Sequence, residues 1–215
     1  FLYDGPYEEF KKELFALGEP PVPEWVKKKP DESDVENYQT IFAKNEGAVS
    51  APAAGLHFSR ELFNRMILKD INKTFITVHM GIGHFREVDV EDLSKHRMDC
   101  ERMIISEEAA DAINSTKRAG HKVVAVGVTV ARALETYVTT THEVRPTDTW
   151  TNKFIFPPYE FSIPDAYISN FHLPKSTMLM SVAAFGGYKN VMKAYDEALK
   201  GDYKFGPYGD AMLIL

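Results

Sequence analysis

KVVAVGV, residues 122–128, is the stretch on which the fold turns. It is almost continuously apolar and rich in Val. That composition suits a strand covered on both faces, as in a parallel sheet. Before it, residues 106–117 read as a helix, with Ser106 as the N-cap and Gly120 as the stop. After it, Thr129 starts a second helix that carries Arg132 and Glu135. Helix, apolar strand and helix in succession predict an α/β fold. The expected architecture is a layered sandwich with a mostly parallel or mixed sheet flanked by helices, and no complete β-barrel.

Residues 168–180, ISNFHLPKSTMLM, extend the pattern. A strand over 166–171 runs into a turn at Leu173-Pro174, because proline disfavours helical geometry in the residue before it. Ser176 or Thr177 then caps an apolar helix through Val182. Lys175 beside the free N–H groups of a helix start makes a candidate anion site. Residues 74–80, TFITVHM, alternate as a strand and end in a Gly81-Ile82-Gly83 turn, and residues 154–156 read as another short strand. Ser59 caps a helix whose apolar face is Leu62, Phe63, Met66 and Ile67, with Arg60, Arg65 and Lys69 opposite. Further helices are expected over 7–16, from Ser33 or Asp34 through Ala43, and over 191–199. The three prolines in 18–23 read as a stiff linker, and 27–34 as a charged loop. Residues 1–24 are therefore expected to be a connector, and 25–215 a single α/β catalytic domain.

With 215 residues, 44% of them hydrophobic and 26% charged, the chain is an ordinary globular sequence. No apolar run approaches the roughly 20 residues that span a bilayer, so no membrane partner is expected. Phe1 is not an initiator Met, which leaves any preceding targeting segment open. The net charge of −6 argues against indiscriminate nucleic-acid binding but allows a local basic patch. The single cysteine, Cys100, excludes an internal disulfide, fits a cytoplasmic location and reads as structural.

No metal-ligand spacing stands out, and no metal is expected. There is no Walker loop, no dinucleotide fingerprint and no nucleophile elbow, which removes an α/β hydrolase from consideration. What remains is a set of polar residues beside turns and strand ends: His57, His79, Arg132, Glu135, Asn170, His172, Lys175, Ser176, Thr177 and Asp210. In open α/β sheets, ligands collect outside the carboxyl ends of strands. His57, His79, Arg132, His172 and Lys175 are thus expected to converge on one cleft. Arg132 and Glu135, three apart on a helix, could instead pair with each other.

Seven stretches in order resemble the S-adenosylmethionine:tRNA ribosyltransferase-isomerase family of queuosine biosynthesis. They are 51–58 (APAAGLHF), 77–85 (TVHMGIGHF), 96–101 (HRMDCE), 125–135 (AVGVTVARALE), 150–161 (WTNKFIFPPYEF), 168–180 and 208–214 (YGDAMLI). The resemblance covers nearly the whole chain. It departs at His84 and Val128, where the family has Thr, and at Asn152, where it has Asp. It also implies that most of an N-terminal, barrel-containing region is absent, residues 1–18 being its tail.

The resemblance implies an enzyme with S-adenosylmethionine as substrate, tRNA as partner and no cofactor. Its ribosyl moiety would be transferred to 7-aminomethyl-7-deazaguanine in tRNA and isomerised to epoxyqueuosine, with release of adenine and methionine. Such chemistry needs a base for a C5′ proton beside the sulfonium, a donor for the departing adenine, and a clamp for the methionine carboxylate. On this reading His172 or His57 is the base and Glu135 or Asp210 assists the adenine or ribose. Lys175 with the Ser176 helix start clamps an anion, and Arg132 holds Glu135 or phosphate. His79, Asn170 and Thr177 complete the substrate contacts. The alternative is a non-catalytic or substrate-altered paralogue that binds nucleoside or RNA.

Overall fold

The computed structural model describes residues 2–20 and 29–215. Its elements run α1 (Tyr7–Leu17), α2 (Glu32–Asn37), α3 (Arg60–Ile67), β1 (Thr77–His79), β2 (Glu101–Ile105), α4 (Glu107–Arg118), β3 (Val124–Val126), α5 (Val128–Thr136), β4 (Thr147–Thr151), β5 (Ala166–Asn170), α6 (Thr177–Gly186), α7 (Tyr188–Lys200) and β6 (Ala211–Ile214). Part of the expected 18–23 linker and of the 27–34 loop lies outside the described residues. No helix among the described residues is long and apolar enough to cross a membrane.

Among the described residues two three-stranded sheets form, one antiparallel in the order β1-β2-β4 and one mixed in the order β3-β5-β6. In the mixed sheet β3 lies parallel to β5, with Val126 opposite Ile168, and β6 returns antiparallel with Ala211 opposite Asn170. Each sheet has its own core. Met103, Ile105, Ala109, Ile113, Leu134 and Ile163 fill the first, and Ala125, Ala131, Tyr167, Phe171, Val182 and Val191 the second. Helix α5 lies between them: Ala133 and Leu134 enter one cluster, Ala131 enters the other, and Val130 packs against both. One short helix thus fixes its Arg132 at the junction of two cores.

The layered α/β class holds, but residues 122–128 do not form a strand covered on both faces. β3 is the edge of its sheet among the described residues, with Ala125 at 1% exposure and Val124 at 46%. Strand side chains alternate between faces, and here only one face finds a core. Helix α5 starts at Val128, not Thr129, because Gly127 adopts φ +99° at the N-cap. That left-handed conformation is open to glycine at little cost.

Other boundaries move for identifiable reasons. Asp31, rather than Ser33 or Asp34, caps α2 through a capping box, and the helix stops at Asn37. Residues 154–156 are not a strand. Phe154 packs on His96 and Phe156, with ring centroids 4.8 and 4.9 Å apart, while Ile155 is buried. The strand there is β4, immediately before, paired with β2 along its full length. Ser59, Ser106 and Ser176 cap α3, α4 and α6 as expected, each accepting a backbone N–H three residues on. Ile67 of the expected apolar face of α3 is exposed, and so is Cys100. Cys100 is therefore not a packed core residue.

Candidate functional site

Two adjoining, solvent-open clefts lie between the glycine turns and the start of α5. They share His84, Val128, Thr129 and Met178 as a common wall. Beyond that wall, one end is lined by Ala54, Met80, Ser169, Asn170 and His172. The other is lined by Met98, Arg132, Lys153, Phe154, Thr177 and Ser181.

At the first end the amide of Asn170 is buried and fully used. Its Nδ2 donates to the carbonyls of Gly206, Pro207 and Gly209 at 3.1, 3.4 and 3.2 Å. This orientation turns Oδ1 toward His57, whose Nε2 lies 3.2 Å away. An amide oxygen only accepts, so Nε2 carries the proton and neutral His57 keeps a free lone pair on Nδ1. His57 itself is exposed, at the rim. His172 lies deeper, with Nε2 2.8 Å from the Ser169 hydroxyl and its backbone N–H donating to Tyr195 at 2.7 Å. Burial, aided by neighbouring His84, pushes the His172 imidazole down to about 3. His84 falls to about 4 through burial and the nearby Arg132 charge. Both rings are neutral near pH 7.

At the second end Arg132 is 5% exposed and paired with Glu101, itself 2% exposed. The other Glu101 oxygen accepts the N–H of Gly81 at 3.1 Å, which ties the glycine turn to α5. Arg132 Nη1 is buried with no hydrogen-bond partner among the described residues. Burial lowers its pKa to about 10, still far above neutrality, so the guanidinium keeps its charge. Lys153, half-buried with its ammonium 4.9 Å from the Tyr159 ring centre, is also lowered by burial, against a raising influence from Glu135.

Of the sequence-derived candidates, Arg132, Asn170, His172 and Thr177 line the clefts, and His57 joins through Asn170. The others stand apart. Glu135 does not pair with Arg132. Its carboxylate accepts the N–H groups of Ser162 and Ile163 at 2.9 and 2.8 Å and the Tyr159 hydroxyl at 2.8 Å. Asp210 is exposed and accepts the N–H of Lys204 at 2.7 Å, closing the final loop. His79 sits in β1 with Nδ1 buried and unpartnered, outside both linings. Lys175 is exposed at φ +59°, its carbonyl taken by the N–H of Val88 at 2.8 Å. Ser176 serves the helix itself, accepting from Leu179 N–H at 3.2 Å and donating to the Leu173 carbonyl at 2.7 Å. The expected five-residue convergence is thus met by Arg132, His172 and, at the rim, His57.

The cleft also contains residues that the sequence argument did not select: His84, Met98, Lys153, Phe154, Met178 and Ser181. The signal was there for five of them, because His84 lies in the 77–85 stretch, Met98 in 96–101, Lys153 and Phe154 in 150–161, and Met178 in 168–180. Two of the three departures, His84 and Val128, are cleft residues, whereas Asn152 is exposed outside it.

Residues 2–214 match the family model described as queuosine biosynthesis protein. The chain is 58% identical over 215 residues to the S-adenosylmethionine:tRNA ribosyltransferase-isomerase of Phocaeicola vulgatus, covering 100% of this chain and 61% of the relative. It is 46% identical to the protein of that name from Caldanaerobacter subterraneus, covering 100% of this chain and 62% of the relative. The crystal structure of an S-adenosylmethionine tRNA ribosyltransferase from Thermotoga maritima superposes with a TM-score of 0.61 at 38% identity, covering 75% of this chain and 51% of that one. The chain therefore spans about 61% of the length of its curated relatives.

Proposed function

Because this chain belongs to the queuosine biosynthesis protein family, we propose that it carries the site for ribosyl transfer from S-adenosylmethionine to 7-aminomethyl-7-deazaguanine in tRNA. The ribosyl group is isomerised to give epoxyqueuosine, and adenine and methionine leave. S-adenosylmethionine is a substrate in this reading, and no cofactor is invoked. One observation carries the proposal: the segments around 51–54, 80–84, 127–132, 169–172 and 177–181, far apart in sequence, line two adjoining clefts that share His84, Val128, Thr129 and Met178.

The sulfonium makes the neighbouring C5′ proton acidic, and a neutral imidazole can remove it. His57 suits this task, since Asn170 fixes its tautomer and leaves Nδ1 as the acceptor. His172, held down to about 3, is a weak base and serves better as a hydrogen-bonding group for the ribose or base. Glu135 and Asp210 act as positioning residues, the first holding residues 159–163 behind Lys153 and the second the loop at 204–210. Neither is assigned to adenine departure. Contact with tRNA falls to exposed cations such as Arg60 and Arg65 of α3 and Lys69 just beyond it, because the net charge of −6 leaves no general attraction. Residues 1–24 are read as a connector and 25–215 as the catalytic domain, in a cytoplasmic protein.

Identity of 58% over the whole chain weighs against the non-catalytic alternative. The test is incubation with S-adenosylmethionine and precursor tRNA, followed by mass analysis of the nucleosides. Appearance of epoxyqueuosine together with free adenine and methionine is the expected result. Unchanged precursor, with S-adenosylmethionine intact, would refute the reading.

A further inference from the structure

Arg132 presents an unusual balance. Its guanidinium is almost fully buried, one nitrogen meets Glu101, and Nη1 meets nothing. A second cation, Lys153, lines the same end of the cleft, and no Asp or Glu side chain does. Thr129 and Thr177 are in the same lining. An unpartnered charged donor beside a second cation in a low-dielectric wall attracts an anion. The rest of this end is Met98, Met178, Phe154 and Ile155. Such soft, apolar walls accept an unbranched thioether-like chain and offer nothing to a sugar–phosphate backbone. The helix start at Lys175, by contrast, is already capped by Ser176, and the exposed lysine is in neither cleft lining.

We propose that the Arg132–Lys153 end of the cleft is an anion subsite that takes the α-carboxylate of an amino-acid-bearing substrate, with the side chain of that amino acid lying along Met98, Phe154 and Met178. This rests on the reading of the cleft as the S-adenosylmethionine site. The adenosyl part then extends past His84 toward Asn170 and His172. Arg132 supplies Nη1 and Lys153 a point charge, so the carboxylate is held from two sides.

Calorimetry on the full chain with S-adenosylmethionine and with its decarboxylated analogue, which lacks only that carboxylate, tests the proposal. A charge-assisted contact predicts that the analogue binds the parent about 10- to 150-fold more weakly. In Lys153→Met, which disturbs no buried ion pair, that discrimination shrinks several-fold while circular dichroism stays unchanged. In Arg132→Lys, which keeps the charge but loses the fork, it also shrinks. Equal binding of the two ligands to the parent overturns the subsite and leaves the site reading intact. Absence of S-adenosylmethionine binding in the parent overturns both. Should Lys153→Met weaken precursor tRNA while the discrimination is unchanged, the anion is a phosphate and the proposal is wrong.

Discussion

Asn170 and Arg132 line two adjoining clefts, one each, and both are buried polar side chains. Asn170 spends its amide completely, three carbonyls on Nδ2 and His57 on Oδ1. Arg132 has Glu101 on one nitrogen and no partner on Nη1. A satisfied buried network holds its shape whether or not a ligand is present. An unsatisfied donor costs stability until something fills it. The Asn170 end is thus a finished scaffold that orients His57 and the 204–210 loop, and the Arg132 end is completed by what binds.

The largest effect is expected at the charged end. Arg132→Met leaves Glu101 buried without its cation, and should destabilise the protein by about 3–5 kcal/mol in urea unfolding. A loss under about 1 kcal/mol would mean that the pair is not buried as described. Asn170→Leu, of similar size, strips the donor from three carbonyls and should cost about 2–3 kcal/mol. His57 should lose its fixed tautomer at the same time, visible in its ring nitrogen NMR shifts. Retention of the parent shifts would contradict the orienting role.

Between the two ends lies His84, and with His172 it makes stability depend on pH. Both folded pKa values, about 4 and about 3, lie below the usual 6.5. The unfolded chain therefore takes up these protons first. Their contribution is complete above pH 6.5 and is lost as pH falls toward 4 and then 3, at up to about 1.4 kcal/mol per pH unit for each ring. His84→Asn should flatten this slope, and an unchanged slope would place the histidine in water. The smallest effects belong to Lys175, outside the comparison. Lys175→Gly relieves a left-handed backbone and should stabilise by about 0.5–1 kcal/mol. Lys175→Met should change stability by no more than about 0.5 kcal/mol and S-adenosylmethionine affinity by less than twofold. A tenfold loss of affinity would return the anion clamp to the helix start.

Much of this was legible in the chain because it depends on local chemistry. Ser59, Ser106 and Ser176 announced their helices, since a serine cap acts within three residues. The α/β layering followed from apolar periodicity. The coverage of β3 did not, because a Val-rich run looks the same at an edge as in a sheet interior. Residues 154–156 were apolar for aromatic stacking rather than for strand pairing, a distinction that depends on His96, far away in sequence. At the site, Arg132, Asn170, His172 and Thr177 were found by their place beside turns. The pairing of Arg132 with Glu135 that helical spacing allows does not form, because both side chains turn to other elements: Arg132 to Glu101 in β2, and Glu135 to residues 159–163. Lys175 looked like a clamp because sequence shows a helix start but not the exposed, left-handed turn that carries the lysine outward.

A crystal structure of the chain bound to S-adenosylmethionine would test the account most directly. The carboxylate is expected within hydrogen-bonding reach of Arg132 Nη1 and Lys153, the methionyl chain along Phe154 and Met178, and the adenosyl group between His84 and Asn170. A ligand seated on Lys175 and the Ser176 helix start, or one leaving Arg132 Nη1 unpartnered inside the cleft, would contradict it.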